Sequence, residues 1–307
     1  MGVEGSSSAS KLGGCVILDA GVQPRAMTNF DADEQAKTKV GNYVHTTQDE
    51  VGAGGASHYF TPTQRAAQTH RRDHHLRDLP LRPIGLAQSC YPEKFATPRQ
   101  AGLVPKALAH IRLFPEVQPE LSTRGLAGFS HVWVLYWFHR QPPGEFSAVV
   151  RPPRAQGQSW GVFATRSPHR PNPMGLSLVR LESVDEQGLW VSGIDFIDGT
   201  PVLDIKPYLP EHDRADAARV GWVEQADQQR LKVIWTAAAE RDLCDKVAAE
   251  QRPSLRDLIT TTLQEDPRPR SQRPVRHEGG FFLYEWNIRF QISGETLLVC
   301  GLDQRSD

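Results

Sequence analysis

The chain has 307 residues, of which 39% are hydrophobic and 23% charged, and its formal net charge is −1. That length holds one or two domains with a proper core, and no apolar run approaches the roughly 20 residues that cross a bilayer. Near-neutrality argues against a protein that coats nucleic acid. The charge is uneven, however: −1 over residues 1–80, +3 over 81–210 and −3 over 211–307, so any RNA would be held by local patches. The four cysteines, Cys15, Cys90, Cys244 and Cys300, lie far apart with no CxxC pair. That spacing speaks against a zinc knuckle or redox dithiol and suits a reducing compartment. Residues 1–10 lack the basic and apolar regions of a secretory signal. The expectation is a cytoplasmic protein with no membrane and no metal partner.

Residues 1–80 are rich in Gly, Ser, Thr, Gln and Ala, and stretches such as GSSSASKLGG and VGAGGAS hold too little apolar surface to offset the entropy of ordering. A disordered leader is expected there. From Ile84 short β-rich runs follow one another between prolines and glycines: IGLAQS, ALAHIRLF, FSHVWVLYWFH, WGVFATR, LSLVRLESV, LWVSGIDFID and PVLDIKPY. With few helical stretches between them, this spacing predicts an antiparallel or mixed barrel over residues 81–210. The nearly all-apolar run 129–139 reads as a central strand covered on both faces. After Pro210 the apolar spacing predicts a helix over 224–249 and a second over 253–263 with Ser254 as its cap. Strands over 281–286, 288–292 and 296–300 follow, the last two joined at Ser293-Gly294. The fold class is thus mainly β: a small barrel core, a C-terminal α/β appendage over 211–307 and the leader.

Three polar segments carry more Pro and Gly than a core needs. The first, 91–102, reads YPEKFATPRQAG and follows the first strand. The second, GVFATRSPHRPNPMG over 161–175, leads from a strand expected to end at Arg166 into a run of prolines. Proline fixes φ and stiffens the loop, so Arg166, His169, Arg170 and Asn172 could be aimed at little ordering cost. A rigid connection with solvated arginines would explain the prolines but not this clustering of polar groups. In the third, 195–208, Asp198-Gly199-Thr200-Pro201 forms a turn. Beyond it Asp204, Lys206 and Tyr208 share one strand face, with Leu203 and Ile205 opposite. That face could equally be the wet outside of a barrel. Other chemistries find no support: Gly52-Ala53-Gly54-Gly55 follows no strand, neither GxxxxGK[ST] nor HExxH occurs, GFSH lacks the second glycine of a nucleophile elbow, and the histidines show no ligand spacing.

Taken in order, PEKFATPRQAGL, RGLAGFSHVWVLYWFH, GVFATRSPHRPNPMGLSL, DFIDGTPVLDIKPYLP, EDPRP and YEWNIRF closely resemble the TsaA-like family of TrmO-type tRNA methyltransferases, from about Ile84 to the C-terminus. The resemblance implies a β-barrel that binds S-adenosylmethionine, commonly as a homodimer with the site near the subunit interface. It implies methylation of N6 of threonylcarbamoyl-adenosine beside the anticodon of a threonine tRNA. It places cofactor contacts at Pro98, Arg99 and Gln100, at His139 and Arg140, at Arg166, at Leu176, and at Asp198, Gly199, Thr200 and Pro201. Arg140 stands where the family often has glutamine, so only its backbone role transfers. Strand geometry adds Asp204 and Tyr208 as candidates for proton handling, and Lys206 for charge on the carbamoyl oxygen or a phosphate. The stretch 267–276 carries Arg268, Arg270, Arg273 and Arg276 with no acid. It is expected to be exposed and to hold tRNA phosphates, the alternative being that its arginines pair with nearby acids. Methyl transfer to another RNA or a small molecule, and a non-catalytic RNA-binding module, stay open beside the main reading.

Overall fold

The computed structural model describes residues 80–142, 146–155, 157–225, 230–268 and 277–305. All but the last residue of the expected leader therefore lie outside the described residues, as do Arg270, Arg273 and Arg276.

Six strands close into a barrel. They are β1 (Gly85–Ser89), β2 (Leu108–Leu113), β3 (His131–Trp137), then, past a two-stranded ribbon of β4 (Val149–Val150) and β5 (Trp160–Gly161), β6 (Met174–Asp185), β7 (Gly188–Ser192) and β8 (Thr200–Pro207). Their order around the barrel is β1-β2-β7-β6-β3-β8, and every pairing is antiparallel. Alternation drives closure: Val132, Val134 and Tyr136 of β3 point inward and are buried, as are Val179, Leu181, Val191, Ile111, Ala87 and Val202. The opposite side of β3 is only half-buried, so the described residues do not provide the expected cover on both faces. The expected strand through Arg166 is also shorter. It ends at Gly161, and Val162–Ala164 turns as a 3₁₀ helix, a shape the run of prolines beyond it favours over extension.

Registers set which loops meet. Ser89 pairs with Ala109, Leu108 with Ser192, Trp137 with Met174 and Ala87 with Thr200. The segments after β1, β3 and β7 and the long loop before β6 therefore all leave from one end of the barrel.

The C-terminal sheet has the order β10-β11-β12-β9, from β9 (Lys232–Trp235), β10 (Glu278–Leu283), β11 (Trp286–Ser293) and β12 (Thr296–Gln304). Helices α1 (Ala237–Lys246) and α2 (Arg252–Gln264) supply its α content. Three expectations are corrected here. The single helix over 224–249 is a strand followed by a helix: Val233, Ile234 and Trp235 favour extension, β9 pairs in parallel with β12, and Thr236 caps α1 by accepting from the Ala239 amide. Helix α2 begins at Arg252, with Gln251 in the N-cap position and Pro253 in its first turn, so Ser254 is not the cap. The strand expected over 281–286 is broken by a turn at Tyr284 (φ 52°), which separates β10 from β11.

That turn docks on the barrel. The Tyr284 amide donates to the Cys90 carbonyl at 2.9 Å, and the Tyr91 hydroxyl meets Thr262 Oγ1 of α2 at 3.3 Å. Cys90 is fully buried there, and burial pushes its thiol up to about 12, which leaves it inert.

Candidate active site

At the shared end of the barrel a polar cluster of buried Tyr136 and Ser177 with half-buried Asp195 sits beneath the loops. Asp195, just past β7, accepts from Ser177 Oγ at 2.5 Å and from the Tyr136 hydroxyl at 3.4 Å, and the two hydroxyls lie 3.2 Å apart. Burial raises the Asp195 carboxyl above the usual range. Hydrogen bonds from Ser177, the Ala101 backbone and Tyr136, and the nearby charge of Arg166, pull the other way. Burial also raises the Tyr136 phenol, so it stays a proton donor to the carboxylate. Gly175 makes room for this arrangement: a Cβ there would stand 2.2 Å from the Tyr136 ring.

Arg166 joins the cluster from the proline-rich loop. Its Nη1 donates to Gln100 Oε1 at 2.5 Å, and Gln100 Nε2 donates to the Arg99 carbonyl at 2.6 Å. Arg99 in turn points away from the barrel mouth and donates to the carbonyls of Asp266 (3.5 Å) and Arg268 (3.2 Å). Pro98 is buried. The guanidinium of Arg99 thus fastens this loop to the C-terminal domain.

His139 and Arg140 follow β3, and Lys94 reaches the Arg140 carbonyl at 3.4 Å. Burial and the positive charges of Arg140 and Lys94 hold the His139 ring below its ordinary pKa, against the pull of Asp198. Asp198 is a structural tie: its Oδ1 accepts the Ser89 amide at 2.9 Å. Its neighbour Gly199 takes φ +73°, a conformation suited to glycine, and donates to the Ala87 carbonyl at 2.9 Å. Thr200 is buried and Pro201 half-buried as β8 begins.

The segment 195–198 therefore reaches toward both groups: Asp195 accepts from the Ala101 backbone and feels the charge of Arg166, and the charge of Asp198 acts on His139. Arg170 is not aimed outward. Its Nη1 donates to the carbonyls of Val162 (3.4 Å), Thr165 (2.9 Å) and Ser167 (3.5 Å), stapling its own loop. His169 Nδ1 lies 2.9 Å from Gln141 Nε2.

Other expected residues lie elsewhere. Leu176 is on the outer wall of β6, 54% exposed. Asp204, Lys206 and Tyr208 do share the outer face of the β8 side, and Ile205 packs on the core opposite them as expected; the strand register shifts at Leu203, which has no partner across β3. Asp204 pairs with Lys206 at 3.0 Å, and Tyr208 packs edge-on against His131 and Trp133. Four residues of strand, about 13 Å, separate Asp204 from the Thr200 end, so one chain does not gather this trio with Arg166 and Asp195.

Arg268 corrects the expectation of exposure. It is 5% exposed, and its Nε and Nη2 fork onto Asp266 at 3.0 and 3.1 Å. The pairing alternative holds for this arginine, because Asp266 takes φ 47° and folds the chain back on itself. Asp195, Tyr136 and Ser177 were not foreseen as site residues. Their only sequence signal is a carboxylate between two apolar residues, Ile194 and Phe196, ahead of the DGTP turn.

Residues 86–214 match the tRNA-methyltransferase O N-terminal domain, and residues 228–305 match the TrmO C-terminal domain. The chain belongs to the TrmO family. Among its relatives, the Escherichia coli tRNA (adenine(37)-N6)-methyltransferase is 39% identical over 230 residues, covering 72% of this chain and 97% of that one. A Pseudomonas aeruginosa protein named as a candidate S-adenosylmethionine-dependent methyltransferase, RcsF, is 45% identical over 193 residues, 62% of this chain and 83% of its own. A crystal structure of TrmO from Pseudomonas aeruginosa superposes with a TM-score of 0.61 at 36% identity, covering 74% of this chain and 99% of that one. The TrmO barrel is thus the frame that carries the loops described above.

Proposed function

We propose that the chain transfers a methyl group from S-adenosylmethionine to N6 of the adenosine beside the anticodon, position 37, of a tRNA. The observation that carries this reading is the cluster of Arg166, Gln100 and Asp195 at the mouth of a TrmO-family barrel. A cation within electrostatic reach of a carboxylate, but not paired with it, suits a ligand that bears a carboxylate, an ammonium and a sulfonium, and the amide of Gln100 suits its ribose or base. When bound, that cofactor supplies an already activated methyl group. The chain then has to place the acceptor in line and keep water out.

Arg166 holds the carboxylate end, and the backbone of His139-Arg140 and the turn from Asp198 to Pro201 close the other side. The acceptor N6 of threonylcarbamoyl-adenosine is a poor nucleophile but a better acid because a carbonyl withdraws its electrons, so a base contributes. Within one chain that base is Asp195, whose carboxyl has a raised proton affinity; Asp204, Lys206 and Tyr208 lie on the outer wall. A threonine-type tRNA in the cytoplasm is the substrate this reading favours. Among the described residues no helix is long and apolar enough to cross a membrane, and no group of acids, cysteines and histidines could hold a metal ion.

The same reading includes a homodimer. Trp133, Leu135 and Trp137 of β3 and Met174, Leu176 and Leu178 of β6 make an apolar outer wall, with Met174 38% and Leu176 54% exposed. A second copy seated on it would explain both the run of apolar residues in β3 and the place of Leu176.

The test is methyl transfer in solution. The purified chain, given S-adenosylmethionine and unfractionated tRNA lacking the modification, should add one methyl to threonylcarbamoyl-adenosine in nucleoside mass spectrometry. Methylation of another nucleoside, or none, overturns the assignment.

A further inference from the structure

The stretch 146–181 carries five arginines and one histidine but no aspartate or glutamate, in a chain whose net charge is −1. Two of those arginines are neutralised: Arg154 pairs with Glu265 at 2.9 Å and Arg180 with Glu182 at 3.3 Å. Among the described residues no carboxylate pairs with Arg151, Arg166 or Arg170; Arg151 donates only to Ser159, and Arg170 only to carbonyls of its own loop.

In the middle of this positive arm stands Phe163, 76% exposed. Its presentation is fixed rather than incidental. The 3₁₀ turn Val162–Ala164 is held by the Val162 amide on the Ala148 carbonyl at 2.9 Å. It is held again by Trp222 Nε1 on the Ala164 carbonyl at 2.8 Å, and by Arg170 on the Val162 carbonyl. Trp222 itself stacks on Trp160 at 5.9 Å. The Arg170 guanidinium lies over the Phe163 ring, 5.8 Å from its centroid. A rigid turn therefore holds an aromatic ring in solvent, with a cation over it, three residues before Arg166.

We propose that Phe163, backed by Arg170, is a stacking platform for an unpaired nucleobase of the RNA substrate, with the exposed Arg151 meeting its phosphates. Proteins that handle unpaired RNA stack splayed bases on exposed aromatic rings and arginine planes within a positive surface, and this arm provides all three at the end of the barrel where Asp195 waits. An acceptor adenosine in an anticodon loop has unpaired neighbours that must be held while its N6 is presented. The proposal rests on the tRNA methyltransferase reading and names where that RNA is gripped.

The experiment uses the full chain and an anticodon stem-loop RNA with 2-aminopurine beside the acceptor adenosine. Binding to the parent chain should quench the fluorescence by stacking. Phe163→Ala should abolish most of the quench and weaken RNA binding by about 5- to 100-fold, while S-adenosylmethionine affinity by calorimetry and the sedimentation coefficient stay those of the parent. Phe163→Trp should restore both quench and affinity. Full quenching and affinity in Phe163→Ala overturn the platform. A matching loss of cofactor affinity overturns it by placing the ring at the methyl donor, and a smaller sedimenting species does so by placing it between copies. A parent chain that methylates no tRNA sinks the functional reading itself, which is a separate result from an active parent with an indifferent Phe163→Ala.

Discussion

Arg166 and Asp195 are neighbours with opposite demands on the fold. Arg166 is exposed, and among the described residues its hydrogen-bond partner is Gln100, so its removal leaves no buried hole. Arg166→Ala should keep the parent melting temperature while S-adenosylmethionine affinity falls about tenfold or more, the size of one lost charge-assisted contact. Unchanged affinity by calorimetry would detach Arg166 from the cofactor. Asp195 is different, because burial raises its carboxyl above 3.8. A group whose folded-state pKa exceeds its unfolded value is stabilising while protonated. That contribution is full below the unfolded pKa and is lost as pH rises through the folded one. Asp195→Asn keeps an acceptor for Ser177 and Tyr136 without the desolvated charge. It should therefore remove the fall in stability that the parent shows as pH climbs above about 4, and be at least as stable at neutral pH, yet methylate poorly. Urea titrations at several pH values, read beside single-turnover rates, separate the two effects. An Asp204→Asn variant that loses the chemical step while Asp195→Asn retains it would return proton handling to the outer wall.

At the scale of elements, a hydrogen-bonded path runs from the C-terminal domain to the barrel mouth. The Asp266–Arg268 fork presents two carbonyls to Arg99, the Arg99 carbonyl takes Gln100 Nε2, and Gln100 Oε1 takes Arg166. Both members of the fork are buried, with side chains 6% and 7% exposed. Arg268→Ala strands a buried carboxylate, a loss of about 3–5 kcal/mol, and should lower both the melting temperature and cofactor affinity. Arg268→Lys keeps the charge but not the fork and should fall between. An Arg268→Ala chain that melts early but binds S-adenosylmethionine normally would limit the path to stability. This element also shows what sequence reading can reach. The barrel strands were legible because alternation and Pro/Gly punctuation are local signals, and α2 because its apolar spacing is long and regular. Lys232–Trp235 was not, since the partner that makes it a strand, β12, lies more than sixty residues away. Arg268 was misread because composition sees four arginines without an acid in 267–276 and misses Asp266 one residue outside that window. Asp195 was invisible for a related reason: its hydroxyl partners come from β3 and β6, brought together only by closure of the barrel.

For the whole molecule, the apolar wall of β3 and β6 is where assembly is expected. Leu176 pairs with Leu135 across the two strands, so a charge at that point would face both leucines of a second copy. If the proposed dimer forms on this wall, Leu176→Arg should leave a monomer in analytical ultracentrifugation while the circular dichroism of the barrel persists. A parent chain that sediments as a monomer would show that the wall serves something else.

The closure of the barrel by β1 on β8 has a consequence for biosynthesis. Gly85 pairs with Val202 and Ala87 with Thr200. A ribosome adding about 5–20 residues per second needs roughly 6 to 23 seconds after making β1 before its second neighbour exists. Strand β3 also waits for both of its partners, β6 and β8. Through that interval the nascent chain holds the hairpin of β1 and β2 and the most apolar strand of the barrel with open edges. Slow codons or arrest placed between β3 and β8 should therefore send this protein to aggregation or to chaperones, whereas a pause after β8 should be harmless.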